Sequence, residues 1–225
     1  MLSNECKSVF TEFFPVWDKL NENEQNILCS HTVEKKYKAG ENIHGGNGGC
    51  TGAVLLKKGS ARTYILSPEG KEVTLYRLFA GDICMLSASC VLQSVTFDVF
   101  VDAAEDCECY IINGKAMADV SQKNIYVQNF ALNSAVSRFS DVMWVMQQIL
   151  FMSFDKRLAL FLYNESLRKN SNTIYLTHDQ IAAFLGSARE VVSRMLKYFE
   201  SEGVIERCRG GVKIQDKQKL KALTV

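Results

Sequence analysis

No run of apolar residues in this 225-residue chain approaches membrane-spanning length. The longest, Val142 to Met152, is broken by Gln147 and Gln148 and falls far short of the roughly 18 residues that a helical span requires. Met1 to Phe10 has no basic stretch leading into an apolar core, so no secretory signal is read there and a cytoplasmic setting is expected. The 8 cysteines include no CxxC pair, and the 3 histidines, His31, His44 and His178, form no HExxH pattern. Without those spacings the strong zinc signatures are missing, and no metal site is expected. A reducing cytosol would keep the thiols free, leaving metal binding, redox sensing or plain packing as their roles. The chain also lacks internal repeats and low-complexity tracts. With 47% hydrophobic and 23% charged residues it is neither disordered nor collagenous, and its length suits one large domain or two small ones.

The formal net charge of +1 conceals an asymmetry. From Ser153 to Val225 there are 13 Lys and Arg against 8 Asp and Glu, a net of +5, whereas the first 152 residues carry 13 basic and 17 acidic residues, a net of −4. A basic third on an acidic body suggests that the C-terminal part faces a polyanion.

Residues 33 to 112 are rich in β-branched and aromatic runs separated by glycine-bearing turns, among them Ala39-Gly40, Gly45 to Gly49, Lys58-Gly59, Pro68-Glu69-Gly70 and Ala80-Gly81. That punctuation predicts an antiparallel β-sandwich or barrel. Before it, Val9, Phe10, Phe13, Trp17 and Leu20 recur with helical spacing, and Pro15 interrupts them, predicting one or two short helices. Further on, Ile125, Gln128, Leu132, Ala135, Phe139, Val142, Met146 and Ile149 follow one another in steps of three and four. Such a repeat is what a two-helix coiled coil requires, so residues 125–149 are expected to pair two copies as a parallel homodimer. Ser153 is placed to cap the next helix, which runs through Leu158, Phe161 and Leu162 to the polar cluster 168–172.

Thr177-His178-Asp179-Gln180 and Ser187-Ala188-Arg189-Glu190 both have the spacing of a capping box, predicting two helix starts ten residues apart. The first helix must stop at Gly186, and the second would bury Val191, Val192, Met195, Leu196 and Phe199. Helix, glycine turn and second helix make a helix-turn-helix, whose second helix enters the DNA major groove. Its exposed residues would be Arg189, Glu190, Ser193 and Arg194, with Lys197 one turn on. Arginine bonds bidentately to guanine and glutamate accepts from cytosine, while the lysine is expected on phosphate. Val204-Ile205 and Val212-Lys213-Ile214, joined by Arg209-Gly210-Gly211, read as a two-stranded basic wing.

With these segments in view, the whole chain resembles the Crp/Fnr family of bacterial transcription regulators. The residues that carry the resemblance are Tyr37 to Ile43, Leu56 to Ser60, Glu69 to Val73, Leu78 to Asp82, Arg157 to Leu162 and above all Leu176 to Ile205. The resemblance implies an α+β chain: an antiparallel β-roll of jelly-roll, cyclic-nucleotide-binding-like type over residues 1–120, a long dimerisation helix over 121–152 and a C-terminal winged helix-turn-helix domain over 153–225. It implies a homodimer on double-stranded DNA at a palindromic operator, with RNA polymerase as a partner, a small-molecule effector and no membrane. Arg189, Glu190 and Arg194 fall on the family's base-reading positions, and Ser193 completes the glutamate, serine, arginine pattern of its oxygen-sensing branch.

Two departures concern the effector. Members that bind cyclic AMP hold the ribose with Gly-Glu, the phosphate with Arg-Ser and the adenine with Thr-Ser; here those positions are Met85-Leu86, Phe97-Asp98 and Val142-Met143. An aspartate in place of the phosphate-binding arginine would repel the ligand, so cyclic AMP is not the expected effector. The oxygen-sensing branch holds its iron–sulfur cluster with several N-terminal cysteines, and this N-terminus offers only Cys6, so no such cluster is expected. Instead Cys84, Ser87, Ser89 and Cys90 lie where the phosphate cassette would be and, with Phe97, Asp98, Val142 and Met143, make up the candidate effector pocket. The thiols of Cys84 and Cys90 have several readings: a redox pair, haem ligands, part of a pocket for an uncharged or cationic molecule, or packing groups. Cys107 and Cys109 share one strand face and are expected to pack. A Cys90 nucleophile would want a base, and no histidine is near it in sequence, so no catalytic residue and no enzyme is expected.

Overall fold

The computed structural model describes residues 4–45, 50–88 and 99–224. By its packing the chain divides into two units, residues 1–66 with 75–142, and residues 67–74 with 143–225. Among the described residues no helix is long and apolar enough to cross a membrane.

The first unit opens with α1 (Asn4–Phe13), a 3-10 turn at Trp17–Lys19 and α2 (Glu22–Ser30). Asn21 and Glu24 cap α2 reciprocally, each side chain bonding the other's backbone N–H. Then come β1 (Thr32–Tyr37), β2 (Asn42–His44), β3 (Ala53–Lys58), β4 (Ser60–Leu66), β5 (Glu72–Phe79), β6 (Ile83–Cys84), β7 (Phe100–Ala103) and β8 (Cys107–Ile112). They form two four-stranded sheets, in the order β1-β8-β3-β6 and β2-β7-β4-β5. The pairs β1–β8, β3–β8, β3–β6, β2–β7 and β4–β7 are antiparallel, as the turn-punctuated sequence predicts. At Gly52, with φ +104°, a Cβ would lie 2.0 Å from the carbonyl oxygen of Ile112, so only glycine lets the two segments approach there.

The predicted N-terminal helices do more than flank the roll. Phe10, Phe14 and Trp17 are buried in the same core as Leu55, Leu56, Leu78 and Ile112, and the rings of Phe10 and Trp17 stack 4.8 Å apart. Each such side chain contributes about 1.5–3 kcal/mol when fully buried.

After α3 (Gly114–Lys123) comes α4 (Ile125–Phe151), the long helix that the periodicity predicts. Its Val127 and Ala131 are buried in the roll core. Ala135 and Val142, assigned from sequence to the dimer seam, also pack against that core. The seam residues Ile125, Leu132, Phe139, Met146 and Ile149 face solvent, as do Tyr126, Val136, Met143, Trp144, Leu150 and Phe151. The apolar stripe of α4 is wider than one seam, so a three-four repeat can be drawn through it in two phases, and packing against the roll selects between them.

The second unit contains α5 (Phe154–Arg168), β9 (Thr173–Ile174), α6 (His178–Leu185), α7 (Arg189–Ser201), β10 (Ile205–Cys208), β11 (Gly211–Ile214) and α8 (Lys217–Ala222). Its sheet runs β10-β11-β9, and its core gathers Leu158, Leu162, Ile181, Val192, Leu196, Phe199, Val204 and Leu220. Antiparallel α+β architecture with two cores is thus the observed class.

Candidate nucleic-acid interface

Local chemistry alone starts α6. Thr177 Oγ1 accepts from the Gln180 N–H at 3.2 Å, and Gln180 Oε1 accepts from the Thr177 N–H at 2.8 Å, completing the predicted capping box. The helix ends at Gly186 in the left-handed region, φ 59° and ψ 44°, as a C-terminal glycine cap should. The second box does not form. Ser187 spends its N–H on the Ala182 carbonyl, closing the turn, and the N-cap of α7 is Ala188, with no side-chain cap. A sequence of three-residue spacing fits either frame; the glycine turn decides which residue starts the helix.

Helix α7 then divides cleanly. Val192, Leu196 and Phe199 are buried, while Arg189, Glu190, Arg194 and Lys197 are exposed and Ser193 half-buried. Positions 189, 190, 193, 194 and 197 share one face of a 3.6-residue helix. Together these five side chains line a surface cleft of about 440 Å³, so every residue chosen from sequence for base reading meets the others there. Arg189 Nε lies 3.7 Å from Asp179 Oδ2, with both side chains mostly exposed. A pair of that kind is worth about 0–1 kcal/mol, little enough for the guanidinium to exchange it for a base edge.

The β10–β11 hairpin presents Arg207, Arg209 and Lys213 on exposed positions beside this helix. Arg207 is tied down: its Nη2 lies 2.6 Å from Glu200 Oε2, and its N–H donates to Glu200 Oε1. Those contacts hold the Glu200 carboxyl below the usual carboxylate range, the backbone bond foremost. One acidic side chain of α7 thereby fixes the wing.

The candidate effector residues fare differently. Cys84 and Ser87 are wholly buried; Ser87 Oγ donates to the carbonyls of Gly52 (2.7 Å) and Cys84 (3.0 Å), and Cys84 Sγ lies 3.9 Å from Tyr76 Oη. Val142 is partly buried and Met143 exposed. Ser89, Cys90, Phe97 and Asp98 lie outside the described residues. Cys107 and Cys109 are buried side by side, Sγ to Sγ 3.8 Å, as the strand spacing predicts. Among the described residues the expectation of free thiols fails at Cys50, which is disulfide-bonded, whereas Cys6, Cys29, Cys84, Cys107, Cys109 and Cys208 are free. Composition and compartment could not reveal it, because a disulfide depends on the distance between two Cα atoms in the fold. Among the described residues no cluster of three or more His, Cys, Asp or Glu is placed to hold a metal.

Comparison with known proteins meets this geometry at both ends. Residues 34–124 match the cyclic nucleotide-binding domain and residues 156–223 the Crp-like helix-turn-helix domain. A crystal structure of a regulator assigned to the crp/fnr family from Eubacterium rectale superposes with a TM-score of 0.89 at 42% identity, covering 94% of this chain and 98% of that one. The chain belongs to the Crp/Fnr family. The anaerobic regulatory protein of Haemophilus influenzae is 25% identical over 202 residues, 83% of this chain and 74% of the relative. The cAMP-activated global transcriptional regulator CRP of Pasteurella multocida is 25% identical over 185 residues, 79% of this chain and 88% of the relative. This Crp/Fnr chain is therefore a DNA-binding transcription regulator with a cyclic-nucleotide-binding-like domain.

Sequence reasoning passed over one arrangement in this Crp/Fnr chain. Arg138 of α4 reaches Asp82 Oδ1 (3.3 Å) and Asp141 Oδ2 (3.0 Å), and its guanidinium lies 4.9 Å from the centre of the Tyr76 ring. The sequence signal was a row of short polar residues, Asn129, Asn133 and Ser137, four apart along the helix.

Proposed function

We propose that the protein acts as a homodimer that reads a palindromic operator through Arg189, Glu190, Ser193 and Arg194, with Lys197 on phosphate, under control of an effector other than cyclic AMP. The observation that carries this reading is the single exposed face on which those five side chains meet. Residues 1–120 serve as sensor, 121–152 as dimerisation helix and 153–225 as the DNA-binding domain, with RNA polymerase the protein partner. Support for pairing is the exposed row Leu132, Val136, Phe139, Met143, Met146 and Leu150, spaced four and three along α4. Support for excluding cyclic AMP is that Met85 and Leu86, at the ribose-binding positions, are buried apolar side chains without a group for a hydroxyl. The thiol or haem alternative through Cys84 and Cys90 gains nothing from Cys84, which is shut in the core.

The test is selection of bound duplexes from a random pool by the purified protein, in parallel under reducing and oxidising conditions. A palindrome with half-sites about one helical turn apart is expected. Failure to enrich any motif, with or without added cell-extract small molecules, would overturn the reading. Enrichment in one redox condition alone would instead favour the thiol alternative.

A further inference from the structure

The geometry points to a small-molecule site in the first unit whose lining includes none of Cys84, Ser87, Val142 and Met143. It would take an uncharged planar ring bearing a carboxamide-like edge. A cavity of about 490 Å³ lies between the segment after α1, the Gly81–Ile83 turn and one face of α4. That size is in the range of about 300–1,000 Å³ usual for ligand pockets.

One wall is apolar: Phe13, Val16, Ile83 and Phe130, the last held edge-on against Phe14 at 5.1 Å between ring centres. The cavity's polar lining includes Asn129, Asn133 and Ser137, stacked on successive turns of α4. Asn and Ser are poorer helix formers than Ala or Leu, and these three pack no core, so α4 loses stability by carrying them. Ser137 and both asparagines are exposed, and their side chains make no hydrogen bond to any described residue. They offer paired donors and acceptors beside a ring-binding surface, as a carboxamide on an aromatic ring requires.

Charge decides against an acid. Arg138 closes one end of the cavity, but its guanidinium already meets Asp82 and Asp141. Two carboxylates on one cation leave a net of −1 there, so an anionic ligand would have to displace a carboxylate and face its repulsion. A neutral molecule avoids that cost. Because the cavity touches both the Gly81–Ile83 turn and α4, its occupant would bear directly on the Arg138–Asp82 bridge between them. Control of operator binding by this site rests on the function proposed above; the binding itself does not.

Benzamide, with benzoate as the charged control, is titrated into the full-length protein and followed by ligand-observed saturation-transfer NMR. Saturable benzamide binding is expected, with a Kd on the order of 1 mM for so small a ligand. Benzoate should bind about tenfold more weakly, and Asn133→Leu should weaken benzamide by a similar factor. Sedimentation and circular dichroism confirm that the variant keeps its assembly and fold, and Ser137→Leu supplies a second blocking substitution. Absence of saturable benzamide binding, equal affinity in both variants, or tighter benzoate binding would overturn the site. Operator selection on the same wild-type preparation is independent: an enriched palindrome without benzamide binding sinks this inference alone, and benzamide binding without a palindrome sinks the regulator reading alone.

Discussion

The surface of α7 and the interior beside β6 were both assigned function from short sequence segments, and the structure treats them oppositely. On α7, Arg189, Glu190, Ser193, Arg194 and Lys197 meet on one open face. Beside β6, Cys84 and Ser87 are sealed into the core, the hydroxyl bonded to two carbonyls. A site for a polyanion is built from neighbours on one helix, and helical spacing suffices to place them. A pocket for a small molecule is built from segments far apart in the chain, such as Phe13, Asp82 and Asn133, and no local spacing relates them.

The contrast can be pressed experimentally, the most damaging substitution first. Phe199→Ala removes the ring on which the recognition helix rests and should cost about 3–5 kcal/mol in unfolding free energy. Denaturation followed by circular dichroism measures it. A loss below 1 kcal/mol would mean that the exposed face of α7 is not held by the apolar one.

Next come paired substitutions, one from each region. Arg194→Ala should weaken operator binding by about 1–3 kcal/mol, roughly 5- to 150-fold, and relax discrimination at one base pair. Cys84→Ala should leave operator affinity unchanged under reducing and oxidising conditions alike, lowering only thermal stability. Mobility-shift titrations read both, and a redox-dependent change abolished by Cys84→Ala would erase the distinction between the two regions.

Smaller effects separate two caps of similar sequence. Thr177→Ala should cost about 1 kcal/mol through loss of its bond to Gln180, whereas Ser187→Ala should fall within about 0.5 kcal/mol of the parent. Equal losses would restore the second capping box.

The smallest effect is electrostatic and belongs to the roll surface. Lys38 Nζ and the Ala39 N–H hold the Asp106 carboxyl below its ordinary range, the lysine foremost. A lowered native pKa means that the unfolded chain binds the proton first, so this contribution is present above the ordinary carboxylate pKa and fades as pH falls through it toward the native value. Asp106→Asn should flatten that part of the acid stability profile; an unchanged profile would show the pair to be idle.

How much could be read in advance varied with the range of the interaction. The strands, the helix over 125–149, the Thr177 box and the Gly186 stop follow from periods and turn residues within a few positions. The phase of the α4 stripe did not follow, because Ala135 and Val142 look as suited to a partner helix as Leu132 until the roll packs against them. Likewise Ser187 satisfied a motif that Gly186 had already pre-empted. The disulfide at Cys50 has no local signature.

By itself, then, the sequence determined the order of elements, the basic C-terminal third and which residues share the open face of α7, since all of these depend on local period and on charge. Only the tertiary structure decided which apolar face of α4 is free, which thiols are buried, and that Asn133, Phe13 and the Arg138–Asp82 pair enclose one cavity. Those outcomes depend on the close packing of segments distant in sequence, where each side chain's surroundings are set by neighbours it does not know until the chain folds.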